Sequence, residues 1–207
     1  MKNGRKKTHY TLGIDEVGRG PLAGPVAVGV VRTKLSRKEY TKLLVGIRDS
    51  KKATKLEREM WYKKALVWKK EKKIDWAVTF KSAQYIDMRG IVPAIRACMY
   101  EGIKKVGGTY DDEFLLDGGL RLVREYGNQK TIIRGDSKEP LIALAATIAK
   151  VLRDKRITLV GKKYPMYGFE THKGYGTKKH REAISQFGLS QIHRQTFCKN
   201  ILMGKSE

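Results

Sequence analysis

Two short β-prone runs, Tyr10–Asp15 and Val26–Val31, are separated only by the glycine- and proline-rich segment Glu16–Pro25. No other stretch constrains the fold as strongly. It reads as a hairpin-like pair of strands joined by a functional turn. The turn, Asp15-Glu16-Val17-Gly18-Arg19-Gly20-Pro21-Leu22-Ala23-Gly24-Pro25, opens into a strand rather than a helix, and no GK[ST] follows it. A Rossmann dinucleotide loop and a Walker loop are therefore both excluded. Its glycines remove Cβ atoms where a ligand backbone can approach closely.

Downstream, helices alternate with single strands. Lys34–Gly46 reads as loop-like or weakly helical. Thr54 is placed to cap a helix through about Lys70, with Leu56, Met60 and Leu66 on one side. Ile74–Phe80 alternates as a third strand. Ser82 opens a helical region, clearest over Pro93–Val106. Glu113–Leu116 and Thr131–Ile133 are short strands that end at Asp117-Gly118-Gly119 and Arg134-Gly135-Asp136. Pro140 to about Val160 is the strongest helix, with an apolar stripe of Leu141, Leu144, Ala145, Ile148, Leu152 and Leu159. Gly161–Thr177 reads as a loop, and Thr177 or a neighbour starts a last helix through Phe187. This order predicts an α/β domain with a mixed sheet, without repeats or a linker.

Composition narrows the function. Lys and Arg total 44 against 21 Asp and Glu, a net charge of +23. Such an excess favours a polyanionic partner, and nucleic acid is the commonest. No stretch nears the ~20 apolar residues of a membrane span. Met1–Thr8 is basic but leads into no apolar signal segment. Cys98 and Cys198 form neither a disulfide framework nor a zinc site, so a cytoplasmic setting is expected. The lysines between Lys63 and Lys73 read first as a solvated helix face and its loop, with phosphate contact as the other reading.

In so basic a chain the positions of the acids carry information. Asp15 and Glu16 end the first strand, Asp117 ends a later one, and Asp136 precedes the long helix. Any one of them alone reads as a cap or turn residue. Together, at the strand ends of an open α/β sheet, they stand where ligands gather. If the first and fourth strands are neighbours, Asp15 and Asp117 lie side by side. Oxygen-only ligands suit Mg²⁺ or Mn²⁺, and two such ions about 4 Å apart support phosphodiester hydrolysis. Successive strand residues face opposite ways, so Asp15 and Glu16 share one site only if the strand breaks between them. Asp154, four residues after Lys150, fits either an ion pair across one helical turn or a metal ligand.

The turn, together with Asp49-Ser50-Lys51-Lys52, Leu116-Asp117-Gly118, Gly135-Asp136-Ser137, the helix Ala145–Asp154, Tyr164-Pro165, His172-Lys173-Gly174-Tyr175-Gly176-Thr177 and Ile192-His193-Arg194 with Phe197, resembles the motifs of the ribonuclease HII family, of bacterial type, in order along nearly the whole chain. The resemblance implies a ribonuclease H-like fold with a central mixed sheet flanked by helices and a C-terminal helical extension. It implies one catalytic domain over residues 1–207, whose segment from about 160 to 207 completes the substrate groove.

It implies further an endonuclease that cuts 5′ of ribonucleotides, in RNA/DNA hybrids and at single ribonucleotides in duplex DNA, leaving 3′-hydroxyl and 5′-phosphate ends. The family's metal-binding acids map onto Asp15, Glu16, Asp117 and Asp136, which would hold two divalent ions, Mg²⁺ or Mn²⁺. No protein nucleophile is then needed, and Asp154 becomes structural. Gly18-Arg19-Gly20 maps onto the backbone segment that reads the 2′-hydroxyl, the group that tells RNA from DNA. Tyr175 maps onto a tyrosine that packs on the next sugar and Lys51 onto a lysine near the scissile phosphate; for His172 a supporting or loop role is expected, with assistance to the reaction as the other reading. A monomer without membrane attachment is expected.

Departures are Arg134 for a usual lysine, Ala146 for serine and Arg48 for asparagine, the last adding charge near the substrate path. Three rivals remain in view. Ribonuclease HIII usually carries an extra N-terminal domain, for which the stretch before the first strand leaves no room. A non-catalytic duplex-binding protein would be weakened by the acids. A basic ribosomal-type protein has no use for the Asp15–Gly20 element.

Overall fold

The computed structural model describes residues 9–203. The basic lead Met1–Thr8, and residues 204–207 of the Lys199–Glu207 tail in which no partner motif is legible, lie outside them. Strands β1 (Thr11–Val17) and β2 (Val26–Thr33) pair antiparallel around the glycine-rich turn, with Thr11 opposite Thr33 and Val17 opposite Ala27. Helices α1 (Arg37–Leu43) and α2 (Lys55–Lys70) lead to β3 (Ile74–Lys81), antiparallel to β2. Helices α3 (Ala83–Arg89) and α4 (Ile91–Lys105) return the chain to β4 (Glu113–Asp117), which lies parallel to β1. Strand β5 (Gln129–Ile132) is parallel to β4, giving the order β3-β2-β1-β4-β5. Then follow α5 (Gly135–Lys138), α6 (Pro140–Gly161), a 3-10 turn over Pro165–Tyr167, α7 (Phe169–His172), α8 (Lys178–Phe187) and α9 (Gln195–Leu202).

Helix starts follow their caps. Thr54 accepts from the Glu57 N–H and Glu57 reaches back, a reciprocal capping box that opens α2. The same box at Ser36 and Glu39 makes α1 a defined helix within a stretch expected to be loop-like or weakly helical. One face of the sheet packs on α4 through Leu12, Ile14, Val28, Val30, Met99, Phe114 and Leu116. The other packs on α6 and α2 through Val31, Trp61, Leu141, Leu144 and Ile148. Helix α6 lies with its backbone against the strands. A Cβ on Gly13 would stand 2.5 Å from the Leu141 carbonyl carbon, and one on Gly29 2.2 Å from the Ala145 oxygen.

Several expectations are corrected. Leu56, Met60 and Leu66 face solvent, because α2 turns the larger Trp61, with Ala65, into the core. Leu159 is exposed, because α6 runs past the sheet and its last turns bury Ile157 in a separate cluster with Tyr167, Phe169, Ile184 and Cys198. The Gly161–Thr177 loop contains the 3-10 turn and α7. Helix α9 has no side-chain cap of its own. Asp87, on α3, instead accepts from the N–H groups of Gln195 (2.9 Å) and Thr196 (3.0 Å).

Candidate active site

The parallel register pairs Ile14 with Leu116, so Asp15 and Asp117 follow side by side at the C-terminal ends of adjacent strands. Side-chain alternation puts Asp15 on the same sheet face as Gly13, the face covered by α6. Asp117 Oδ1 accepts the Gly135 N–H at 2.6 Å, which draws the start of α5, and with it Asp136, onto the same strand ends. Asp15 and Asp136 are each only 5% exposed. Asp15 Oδ1 accepts the Glu16 N–H at 2.7 Å. Strand β1 does not break between the two; it runs in register to Val17. The Glu16 side chain therefore leaves from the opposite face, where Arg19 Nη1 meets its carboxylate at 3.4 Å.

Burial, then the charges of Asp117, Glu16 and Asp136, hold the Asp15 carboxyl well above the ordinary carboxylate range. Burial, then Asp49 and Asp117, raise Asp136. Burial also raises Glu16, against the opposing pull of Arg19. Lys51 Nζ stands 3.6 Å from Asp136 Oδ2. Burial works against that ammonium, but Asp136, Asp15, Asp49 and Asp117 outweigh it and raise its pKa. Asp49, read from sequence only as part of a motif, is thus a further acid within reach of the cluster.

Buried carboxylates that repel one another, with oxygen as the only donor, are what a hard divalent cation neutralises. Among the described residues no three His, Cys, Asp or Glu side chains stand close enough together to hold a metal ion among them. An open set fits Mg²⁺-type ions, which commonly take one or two carboxylates and complete their shell with water and substrate phosphate.

Beyond Glu16 the chain turns at Gly18, whose φ of +87° favours glycine. Two arginines with no solvent exposure hold this turn by its carbonyls. Arg194 donates from Nη2 to Gly18 O (2.7 Å), from Nη1 to Arg19 O (2.8 Å) and from Nε to Gly24 O (3.0 Å). Arg153 donates from Nε to Pro25 O (2.9 Å) and from Nη1 to Lys173 O (3.2 Å). No local sequence signal marks either of them beyond its motif. The Gly174–Tyr175 loop docks on the same turn, its Gly174 carbonyl accepting the Leu22 N–H at 2.8 Å. Tyr175 is 40% exposed, with Lys150 Nζ 5.4 Å and the Arg153 guanidinium carbon 5.7 Å from its ring centre. It borders a cleft of about 890 Å³ between α2 and α6, lined among others by Lys55, Arg58, Lys155, Lys162 and Lys173.

Asp154 is tied to Lys150 Nζ at 3.0 Å, as expected for an ion pair across one helical turn. Arg48 pairs with Glu57 at the start of α2. Arg134 adopts a left-handed φ of +56° just before α5. His172 faces inward: its Nδ1 accepts from Gly174 N–H (3.2 Å) and its Nε2 donates to Tyr167 O (2.6 Å). Among the described residues no helix is long and apolar enough to cross a membrane.

The ribonuclease HII family model matches residues 12–200. The ribonuclease HII of Prochlorococcus marinus is 41% identical over 197 residues, covering 94% of this chain and 99% of its own. That of Endomicrobium trichonymphae is 42% identical over 198 residues, covering 95% and 89%. Among solved structures, the ribonuclease HII of Archaeoglobus fulgidus, in complex with PCNA, matches with a TM-score of 0.73 at 24% identity, over 92% of this chain and 96% of that one. A ribonuclease HIII in complex with Mn²⁺ matches with a TM-score of 0.70 at 13% identity, over 96% and 71%. These two structures share the fold, the ribonuclease H-like mixed sheet flanked by helices. The chain belongs to the ribonuclease HII family and is a ribonuclease H, a metal-dependent endonuclease.

Proposed function

We propose that this enzyme hydrolyses the phosphodiester 5′ of ribonucleotides, both in RNA/DNA hybrids and at single ribonucleotides embedded in duplex DNA, and leaves 3′-hydroxyl and 5′-phosphate ends. One observation carries the reading. Asp15, Asp117 and Asp136 converge at the strand ends, and the chain runs from Asp15 straight into the Gly18-Arg19-Gly20 turn. Asp15, the acid at the centre of the cluster, thus sits on one continuous segment with the groups that recognise the sugar.

In this reading Asp15, Asp117 and Asp136 would hold two divalent ions, Mg²⁺ or Mn²⁺. Glu16 leaves the opposite face, but its charge reaches Asp15, and Asp117 acts on it in turn, so it would complete the set from the strand end, in competition with Arg19. The chemistry such ions supply when bound is acidification of a water and charge stabilisation of the departing oxygen. Lys51, beside Asp136, carries a positive charge to the scissile phosphate. The turn reads the 2′-hydroxyl, and Tyr175 packs on the next sugar, favouring one without a 2′-hydroxyl. The segment from about residue 160 onward, which carries Tyr175, closes the groove in a single catalytic domain. The buried free thiols of Cys98 and Cys198 accord with a reducing cytoplasm.

The test is cleavage of a labelled DNA duplex that holds one ribonucleotide, with Mg²⁺, Mn²⁺ or EDTA, beside an all-DNA duplex. The expected result is a metal-dependent cut 5′ of the ribonucleotide and an intact control. Binding without a cut in either metal would sink the reading.

A further inference from the structure

The short segment Ile192–Arg194 touches both halves of the proposed reader. It adds backbone bonds to the turn: Gly24 N–H donates to Ile192 O (2.8 Å) and Arg194 N–H to Leu22 O (2.7 Å). From there the adjacent side chains of His193 and Arg194 go to different loops.

Arg194 is fully buried, and two of its hydrogen bonds end on the carbonyls of Gly18 and Arg19. A trans peptide points its C=O and the next residue's N–H in opposite directions. With both carbonyls held toward a buried guanidinium, the N–H groups of Arg19 and Gly20 turn outward. They become fixed donors on the surface of the turn. A 2′-hydroxyl oxygen accepts such donors; a deoxyribose offers nothing in its place.

His193 starts a chain of hydrogen bonds whose direction is set by its ends. The Ser190 N–H donates to His193 Nδ1 at 2.9 Å, so that nitrogen is the acceptor. At the other end, His180 Nδ1 lies 2.9 Å from the Tyr175 carbonyl, which can only accept, so His180 Nδ1 carries the proton. The two Nε2 atoms lie 3.0 Å apart, so His193 donates and His180 accepts. Both rings are neutral in this arrangement, and neither has solvent contact worth more than 2% of its surface. The relay ends on the peptide of the one residue proposed to pack on the sugar next to the ribonucleotide.

We propose that His193 and Arg194 are positioning residues for ribonucleotide recognition. Arg194 presents the Arg19 and Gly20 N–H donors to the 2′-hydroxyl, and His193, through His180, fixes the Tyr175 peptide so that its ring meets the next sugar. This rests on the assignment of the turn and Tyr175 given above. The two side chains act on different substrates. The turn serves every cut 5′ of a ribonucleotide, so Arg194 governs hybrid and embedded substrates alike. Tyr175 matters where the next sugar is deoxyribose, so His193 governs the embedded ribonucleotide.

The experiment compares kcat and KM on a duplex with one embedded ribonucleotide and on a long RNA/DNA hybrid, for enzymes confirmed as folded by thermal melting. Phosphate contacts dominate affinity, whereas misplacement of the reacting group lowers turnover. For Arg194→Lys, which keeps charge but loses the fork, kcat should fall at least tenfold on both substrates with KM within twofold. For His193→Phe, kcat should fall about tenfold on the embedded ribonucleotide and less than twofold on the hybrid. His193→Gln, which keeps a donor near the Nε2 position, should recover most of that loss. His180→Gln cuts the relay at its other end and carries the same test should His193→Phe not fold.

A merely structural role would change the folded fraction and leave both the substrate ratio and kcat per folded molecule untouched. Wild-type kcat in folded Arg194→Lys, or equal losses on both substrates in the relay variants, would overturn the proposal. Tyr175→Ala separates the layers. If it leaves the substrate ratio unchanged, the sugar-packing assignment and the relay proposal fall together. If it shifts the ratio while the relay variants do not, only the relay proposal falls.

Discussion

The Gly135 N–H donates to Asp117 Oδ1 across 2.6 Å, so the carboxylate that ends β4 is held by the peptide that starts α5. One contact thereby sets the spacing of two acids, Asp117 and Asp136. A Cβ at Gly135 would stand 2.7 Å from Ile142 Cδ1 and 3.1 Å from that same Asp117 oxygen. Gly135→Ala should push the two elements apart by a few tenths of an ångström. We expect kcat to fall at least tenfold with a stability loss of about 1–3 kcal/mol, the usual cost of overpacking. Turnover together with urea unfolding checks this. Wild-type turnover in the variant would mean that the spacing of Asp117 and Asp136 is not critical.

Replacing Asp15 by Asn removes a charge that burial, Asp117, Glu16 and Asp136 all disfavour. Cleavage should be abolished while duplex binding stays equal or tightens, since a carboxylate only repels phosphate. Stability should move the other way. A carboxyl whose folded pKa lies above its unfolded value costs stability once ionised, and acidification relieves that cost. Without divalent ions, Asp15→Asn should therefore melt higher than wild type at pH 7, with the gap closing toward the unfolded carboxyl's pKa. Adding Mg²⁺ or Mn²⁺ should raise the wild-type melting point more than the variant's. Loss of binding together with loss of cleavage would count against the metal-ligand role, and Asp117→Asn provides an independent copy of the cleavage and binding measurements.

These acids were legible in the sequence because each sits beside a local signal, a strand end or a turn glycine. So were the helices that open on Thr54, Ser82 and Thr177, whose hydroxyls cap them within three residues. What was not legible depends on partners distant in the chain. Helix α9 takes its cap from Asp87, more than a hundred residues earlier. Arg194 binds carbonyls about 175 residues upstream, a relationship that no period or spacing encodes. Helix α2 shows a different failure. Leu56, Met60 and Leu66 form a plausible stripe, but only one side of a helix can face the sheet, and burying Trp61 removes more apolar surface.

The histidine relay should leave a signature in acid. Burial lowers the pKa of His180 and of His193 from 6.5 to about 4, so both stay neutral in the native state where the unfolded chain is protonated. The unfolded state then binds more protons, and stability falls as pH drops from about 6.5 toward 4. A shift of that size corresponds to about 3 kcal/mol for the first ring to titrate. The buried acids work with the opposite sign, so the effect is isolated by difference. Urea unfolding at pH 7, 6 and 5 should show wild type losing stability relative to His180→Gln as pH falls. Parallel curves would mean that the imidazoles are not held neutral.

Salt dependence can separate the positive charge that meets substrate from the charge that only solvates the surface. On and after α2, Lys69 is held by Asp75 at 2.7 Å and Lys73 by Glu71 at 2.7 Å. Lys55 and Lys162 instead line the cleft beside Tyr175. A duplex bound through six phosphates gives a slope of log affinity against log salt of about −5, and each lost contact reduces the slope by about one. In the cleavage-dead Asp15→Asn background, Lys55→Gln and Lys162→Gln should each flatten the slope by about one, whereas Lys69→Gln and Lys73→Gln should leave it unchanged. The reverse pattern would move the strand path from the cleft to the outer face of α2, and Tyr175 would then lie off the path that the substrate takes.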